Sequence, residues 1–453
     1  MIPIDGQAML TAADTRKAEA RAIAAGVSAD GMMARAGAAV AEQVRRLAAG
    51  AEVLVLCGPG NNGGDGYVAA AALRRAGLPV RVATFAPATT PQARAARERW
   101  GEEVEALAEA LPAPILVDAI FGIGLSRALD EGVSGPLRRL MTAARLTIAV
   151  DVPSGVSTDD GVCLSDLPPA NLTLAMGAVK PAHLLQPAAA QCGTVRFVDI
   201  GLEAPSRVRA AAAPVIEPPA ASAHKYSRGM VAVVAGAMPG AGALAASAAA
   251  RAGAGYVLLL GSATDRLPHA IVRRRFTAEA LEDHRIGAVV IGPGLGRDER
   301  AEERLVGSLA SGRPLVIDGD ALRLMDDRRC AGAAILTPHA GEFDAMFGRG
   351  SGSKIDRTVA AAEGTGAVVV HKGPDTVIAA PDGRVIVHSG SSSWLSTAGT
   401  GDVLAGVIGA RLAAGLEPME AAVQGVWLHA EAARRAGAAF IADDLVDHLT
   451  LTA

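Results

Sequence analysis

Aromatic residues make up only 3% of the 453 residues, and the formal charge is a small −4. With half the chain apolar, these values exclude a disordered protein, an acidic tail and the basic footprint of a nucleic-acid binder. Cysteine is rare too. Cys57, Cys163, Cys192 and Cys330 stand far apart with no paired spacing. That excludes a disulfide framework or a zinc site and predicts free buried thiols in a reducing compartment. Lysine is scarcest of the charged residues, at 5 against 38 arginines. Charge is absent altogether from Met230 to Ala250, long enough for a membrane span. However, that stretch is mostly Ala and Gly, breaks at Pro239-Gly240, and is strongly apolar only over Val231–Val234. It predicts a buried strand, a turn and a small-residue helix. Met1–Leu10 lacks a basic start followed by an apolar block, so no signal peptide is expected. These features point to a soluble, cytoplasmic protein with no membrane or nucleic-acid partner.

What the chain has is alternation. Helical periodicity over 8–48 precedes buried-strand patterns at Glu52–Cys57, Pro79–Phe85, Pro114–Ile120 and Leu146–Val152. Shorter strands are expected at Thr173–Met176 and Val195–Ile200. Between them, Gly58–Gly66 reads as a loop, Tyr67–Arg75 and Pro91–Ala110 as helices. The Ala- and Pro-rich stretch 204–223 reads as a linker. A second series follows, with strands at Met230–Val234, Tyr256–Leu260, Ala288–Ile291, Pro314–Ile317, Ala333–Leu336 and Ala367–His371. A hairpin at Thr376–Ala379 and Arg384–His388 and helices from Gly401 close the chain. The fold class is α/β, with two domains: a Rossmann-like parallel sheet sandwich over 1–203 and a second α/β domain over 224–453.

The second domain turns on Thr397-Ala398-Gly399-Thr400-Gly401-Asp402. A glycine-rich turn feeding a helix N-terminus offers unpaired N–H groups and a positive dipole end to a phosphoryl group. Asp402 in the first helical turn can take a proton from a substrate hydroxyl. In isolation it reads equally as a helix cap. Gly292-Pro293-Gly294-Leu295-Gly296, Asp318-Gly319-Asp320, Thr337-Pro338-His339 and Lys372-Gly373-Pro374-Asp375-Thr376 each follow a strand. His339 alone reads more readily as a surface or capping residue. Lys372, one of so few lysines, suggests a specific role at its strand end.

In the first domain, Asn62, Asp118 and Ser154 all fall at or beyond C-terminal strand ends, where a parallel sheet binds ligands. Three hard oxygen donors with one negative charge suit a monovalent or weakly held cation. Asp118 leads into a second glycine loop, Phe121-Gly122-Ile123-Gly124-Leu125-Ser126-Arg127. Asp151 leads into the tight turn Val152-Pro153-Ser154-Gly155.

Gly60–Gly66, Val117–Gly124 and Asp151–Gly155, with Lys180 and Val198–Gly201, resemble the NAD(P)H-hydrate epimerase domain over about residues 8–203. The resemblance implies potassium on Asn62, Asp118 and Ser154. It places hydrated nucleotide against Asn61, Asn62, Gly63, Gly64, Asp65, Gly122, Ile123, Gly124, Leu125, Ser126, Arg127, Ala128 and Asp151. Ala34 stands where the family usually has glutamate. The C-terminal motifs, over about 222–448, resemble the ribokinase-like ADP-dependent NAD(P)H-hydrate dehydratase. This implies substrate contacts from Ala241, Gly294, His339 and Asp402, and ADP held by Lys372, Gly373, Pro374, Asp375, Thr376 and Gly401, with Mg2+ bridging phosphates. Ala398 and Gly236-Ala237 depart from the family's usual glycine and glycine-serine.

The joint implication is repair of hydrated NADH and NADPH. The first domain would interconvert R and S epimers, with Asp151, then Lys180, as acid–base candidates. The second would dehydrate the S epimer with ADP, with Asp402 as base. A homo-oligomer is expected. Two alternatives stay open: a ribokinase-like vitamin or sugar kinase, and a first domain that only binds nucleotide.

Overall fold

The computed structural model describes residues 2–264, 266–325 and 334–450. Cys330 and Ala333 lie outside them. The chain forms two compact units, Met1–Ala210 and Ala211–Ala453.

In the first unit, apolar five-residue runs build a seven-stranded parallel sheet. Its strands are β1 (Val53–Cys57), β2 (Val80–Thr84), β3 (Glu105–Ala106), β4 (Ile115–Ala119), β5 (Leu146–Val150), β6 (Leu172–Met176) and β7 (Thr194–Val198), in the order β3-β2-β1-β4-β5-β6-β7. Strand order reverses about β1, and Val53 pairs with both Val80 and Ile115. That reversal opens a crevice at the carboxyl edge, the usual ligand position in such sheets. The two inner strands β1 and β4 are buried at every position, as two covered faces require. Helices α1 (Ala12–Ala24), α2 (Ala29–Ala48), α3 (Asn61–Arg75), α4 (Pro91–Trp100), α5 (Glu131–Ala143) and α6 (Ala188–Gln191) accompany the sheet.

Two expectations need correction here. Gly60-Asn61-Asn62-Gly63-Gly64-Asp65-Gly66 is not a loop, because α3 already begins at Asn61. Its glycines serve close packing, not turn geometry. A Cβ on Gly63 would sit 1.9 Å from the Gly58 carbonyl oxygen, and one on Gly66 2.8 Å from the Ala119 side chain. The helix expected over Pro91–Ala110 stops at Trp100, where Gly101 takes a left-handed φ of 73°. The edge strand β3 follows it. Beyond β7, a short strand β8 (Val208–Ala210) lies inside the stretch read as linker. Met9 N donates to Val208 O at 2.8 Å and Ser206 Oγ to Met9 O at 2.7 Å.

The second unit is built on β9 (Met230–Val234), β10 (Tyr256–Leu260), β11 (Val272–Arg274), β12 (Ile286–Ile291), β13 (Leu315–Ile317), β14 (Ala334–Leu336), β15 (Val368–His371), β16 (Asp375–Ala379) and β17 (Val385–Ser389). They lie in the order β11-β10-β9-β12-β13-β14-β15-β16-β17. Pairing is parallel as far as β15 and antiparallel from β15 through β17. The hairpin read from the sequence is therefore present. Helices α7 (Pro239–Arg251), α8 (Glu299–Ala310), α9 (Gly319–Leu324), α10 (Ala340–Phe347), α11 (Lys354–Thr365), α12 (Thr400–Ala413), α13 (Pro418–Ala436) and α14 (Ala442–Asp447) complete this second α/β unit. The uncharged stretch 230–250 is β9, a turn and α7. No helix among the described residues is long and apolar enough to cross a membrane. Cys57 and Cys192 are buried free thiols, as expected, whereas Cys163 is half-buried.

Candidate active sites

In the first unit, a cavity of 570 Å³ opens at the carboxyl edge of the sheet. Asn61, Asn62 and Asp65 reach it from the first turns of α3; Gly122, Ile123 and Gly124 from the loop after β4; and Asp151 from the end of β5. Gly63 and Gly64 are buried in the helix packing below. Leu125, Ser126, Arg127 and Ala128 run on along the loop and do not line the cavity. Gly60, the residue before α3, gives no side-chain cap, so the first N–H groups of the helix are open to a ligand.

Asp151 is the most constrained residue of this edge. It is not glycine, yet its φ is +67°, a conformation that costs about 1–3 kcal/mol and persists only where the surroundings enforce it. Its N–H donates to Leu174 O at 2.8 Å. Its Oδ1 accepts from Lys180 Nζ at 2.5 Å and from Met176 N at 3.1 Å. A Cβ on Gly122 would lie 3.4 Å from Asp151 Oδ2, so the missing side chain keeps room beside that oxygen. Lys180 is fully buried, and its ammonium also donates to Met176 O at 2.6 Å and Ala178 O at 3.1 Å. All three of its protons are committed.

Glu19 on α1 also lines the cavity, with Thr15, Arg16 and Ile23 on the same helical face. Burial, then the nearby Asp151 charge, raises both the Glu19 and the Asp65 carboxyl above the usual carboxylate range. Three carboxyl groups thus share one lysine, so the site can hold protonated and ionised carboxyls together. Sequence reasoning had taken α1 for packing alone and missed Glu19, because nothing in its periodicity marks a cavity-facing acid.

Asp118 and Ser154 lie under this cavity. Asp118 is fully buried and accepts from Ser154 N (2.8 Å), Ser154 Oγ (2.7 Å) and Ile120 N (3.2 Å). Burial raises its carboxyl, against those hydrogen bonds. No cationic side chain is among these partners. Asn62 Nδ2 is buried with no hydrogen-bond partner among the described residues. A buried carboxylate meeting only neutral donors suits a monovalent cation, whereas the unmet Asn62 atom is an N–H donor, and Asn62 could serve such an ion only through its amide oxygen.

In the second unit, β13, β15 and α12 bring Asp318, Lys372 and Asp402 together. Lys372 Nζ donates to Asp318 Oδ1 at 2.6 Å, and Thr337 Oγ1 donates to the same oxygen at 2.7 Å. A Cβ on Gly401 would lie 3.4 Å from Lys372 Nζ, so the lysine hangs over the start of α12. Gly399 caps that helix at φ 90° without a side-chain bond. Asp402 in its first turn is half-buried. Burial, then the charge of Asp318, pushes its carboxyl up to about 7. Asp320, also facing Asp402, accepts from Gly296 N at 3.0 Å and Arg297 Nε at 2.9 Å. His429 on α13 holds the Thr400 carbonyl at 2.9 Å and fixes the turn from behind.

The other expected residues spread around this point. Gly294 has φ 58°, and a Cβ there would meet Met238 O at 2.6 Å and the Ala241 side chain at 2.8 Å. These two positions therefore form one close contact. His339 caps α10, its Nδ1 accepting from Gly341 N (3.0 Å) and Glu342 N (3.3 Å), while its side chain stays 55% exposed. Lys372-Gly373-Pro374-Asp375 forms the turn between β15 and β16. The Asp375 carboxylate is taken by Lys354 at 2.8 Å, and Thr376 Oγ1 donates to Gly373 O at 2.9 Å. Lys354 was missed, although the scarcity of lysine that singled out Lys372 applied to it equally. No group of three His, Cys, Asp or Glu among the described residues could hold a metal by itself.

The two sheet-edge sites, on a Rossmann-like unit and a second α/β unit, define a two-site α/β protein. Residues 29–182 match the family model described as YjeF-related protein N-terminus, and 231–452 the one described as NAD(P)H-hydrate dehydratase. Curated relatives include the bifunctional NAD(P)H-hydrate repair enzyme Nnr of Mycobacterium tuberculosis, 35% identical with 90% of each chain covered. That of Gloeobacter violaceus is 35% identical over 94% of this chain and 92% of its own. Among solved structures, the ADP/ATP-dependent NAD(P)H-hydrate dehydratase from Bacillus subtilis, co-crystallised with ATP and Mg2+, is 28% identical. It covers 52% of this chain and 92% of its own, with a TM-score of 0.45. The chain belongs to the bifunctional NAD(P)H-hydrate repair enzyme family.

Proposed function

We propose that this chain repairs hydrated NADH and NADPH at two sites, epimerising R and S forms in the first unit and dehydrating the S form with ADP in the second. The observation that carries the dehydratase reading is Asp402, with its carboxyl at about 7 beside a lysine and an uncapped helix N-terminus. A base so tuned takes the proton of the ring hydroxyl near neutral pH. The freed oxygen attacks the β-phosphorus of ADP, the bridging P–O bond breaks, and AMP leaves. Lys372 and the Thr400–Gly401 amides stabilise the transferring charge. Hydroxide leaves a ring carbon badly, whereas phosphate leaves well. The C–O bond then breaks with electrons pushed from the ring nitrogen, and loss of the neighbouring proton restores the double bond. Ala241, Gly294 and His339 would face the hydrate, and Lys372–Thr376 and Gly401 the ADP. Mg2+ would ride on the phosphates and neutralise their charge.

In the first unit, Asp151 is the acid–base group. Lys180 has no uncommitted proton, so it serves Asp151 instead of the substrate. Asn62, Asp118 and Ser154 would hold potassium, whose positive charge would balance the buried Asp118 carboxylate. The test is recovery of reduced-nicotinamide absorbance from the pure R epimer with ADP. Full recovery needs both sites, while recovery from the S epimer alone would remove the epimerase. A stable phosphorylated product from a sugar or vitamin, with no recovery, would favour the kinase reading.

A further inference from the structure

The Asp151 carboxylate and the Asp151 carbonyl are gripped by one short turn. Lys180 opens it and His183 closes it, three residues on. Lys180 Nζ meets the carboxylate at 2.5 Å. His183 Nδ1 accepts the Lys180 backbone N–H at 3.0 Å, which leaves its Nε2–H to donate to the Asp151 carbonyl at 2.7 Å. His183 is buried and does not line the cavity. Burial, then the Lys180 charge, lowers its pKa to about 4, so the ring stays neutral in this tautomer at physiological pH.

This arrangement answers a specific need. A non-glycine residue at φ +67° returns to ordinary backbone space unless both its ends are fixed. The strand end fixes its N–H through Leu174 O. The Lys180–His183 turn fixes the rest. A rotation of the Asp151 peptide would swing its carboxylate from the cavity while leaving the fold intact.

We propose that His183 is a positioning residue for the epimerase, holding Asp151 in its left-handed conformation so that the carboxylate faces the nicotinamide ring. The inference rests on the epimerase reading above. His183 touches no substrate and exchanges no proton; it acts through the Asp151 carbonyl.

Two variants separate its bonds. His183→Asn keeps an acceptor near the Nδ1 position for the Lys180 N–H and loses the reach to Asp151. His183→Gln carries an amide N–H at about the distance of Nε2 and restores that donor. Displacing a catalytic group by about 1 Å costs about 10²-fold. The expected result is that His183→Asn lowers epimerase kcat by about 10- to 100-fold with KM unchanged, and that His183→Gln recovers most of the loss. A native-like melting profile certifies the fold of the first unit, and dehydration of the S epimer by the same preparations calibrates the amount of active chain. Equal losses in both variants, an unchanged kcat in His183→Asn, or a loss confined to KM would overturn the proposal. Absence of epimerase activity in the wild-type chain would instead sink the reading it rests on.

Discussion

Each unit sets an aspartate at a strand end against a lysine, and the two pairs differ in what the lysine has left to give. Lys180 is fully buried, and its three protons go to Asp151, Met176 O and Ala178 O. Lys372 keeps some exposure, and among the described residues it has one acceptor, Asp318. An ammonium with every proton assigned is an internal strut. An ammonium with protons to spare, held over a helix N-terminus, can receive phosphate. The aspartates are reversed to match. Asp151 is the held member in the first unit, while Asp318 holds the lysine in the second and, under the proposed function, leaves the chemistry to Asp402.

The largest effect expected from this contrast is separation of the two activities. Asp402→Asn should lower dehydration by about 10²–10⁴-fold and leave epimerisation near wild type. Asp151→Asn should do the converse, with hydrate affinity retained. The proposed role of Asp402 requires its ionised form, and its carboxyl lies at about 7, so dehydratase kcat/KM should rise with pH through about 7 and level off above. The Asn variant should lose that limb. A folded Asp402→Asn chain defective in both reactions would break the two-site picture.

Next come the lysines. Lys180→Met strands a buried carboxylate and should cost about 3–5 kcal/mol in thermal or denaturant unfolding. Its stabilisation by ADP should persist, about 2.7 kcal/mol at a hundredfold excess over Kd. In Lys372→Met that ADP-dependent shift should vanish. An ADP response lost in Lys180→Met and kept in Lys372→Met would reverse the assignment of strut and receiver. A smaller effect is expected at Asp118. Asp118→Ala should weaken the potassium response of epimerisation about tenfold or more, and a rate independent of potassium in both proteins would place the cation elsewhere.

Most of the strand framework was legible because parallel strands covered on both faces read as apolar runs, and β1, β4, β5, β6 and β9 fall within a residue or two of their patterns. The aspartates at strand ends followed from that framework. What escaped depended on distant contacts. The start of α3 looks like a loop because its glycines are locally poor helix formers, and only packing against Gly58 and Ala119 explains them. The two- and three-residue edge strands β3 and β11 carry no periodicity of their own. Glu19, Lys354 and His183 belong to the sites through tertiary contacts that no spacing announces. The domain units, in contrast, were visible as two alternating series, although residues 206–210 of the presumed linker bond back to Met9 and Gln7.

Helix α12 carries one more consequence. Val403 through Ala410 are all buried. A Cβ on Gly406 would strike the Ala245 carbonyl oxygen at 2.1 Å, and one on Gly409 would meet Val290 at 2.3 Å. A helix seated so tightly on a neighbouring helix and on the sheet has no room to slide or roll. Asp402 is therefore the fixed datum of its site, and any closing motion must come from the opposite wall. In native-state hydrogen exchange, the amides of 404–412 should open only with the whole unit. Those of 390–396, exposed or half-exposed and outside the strands and α-helices, should exchange earlier.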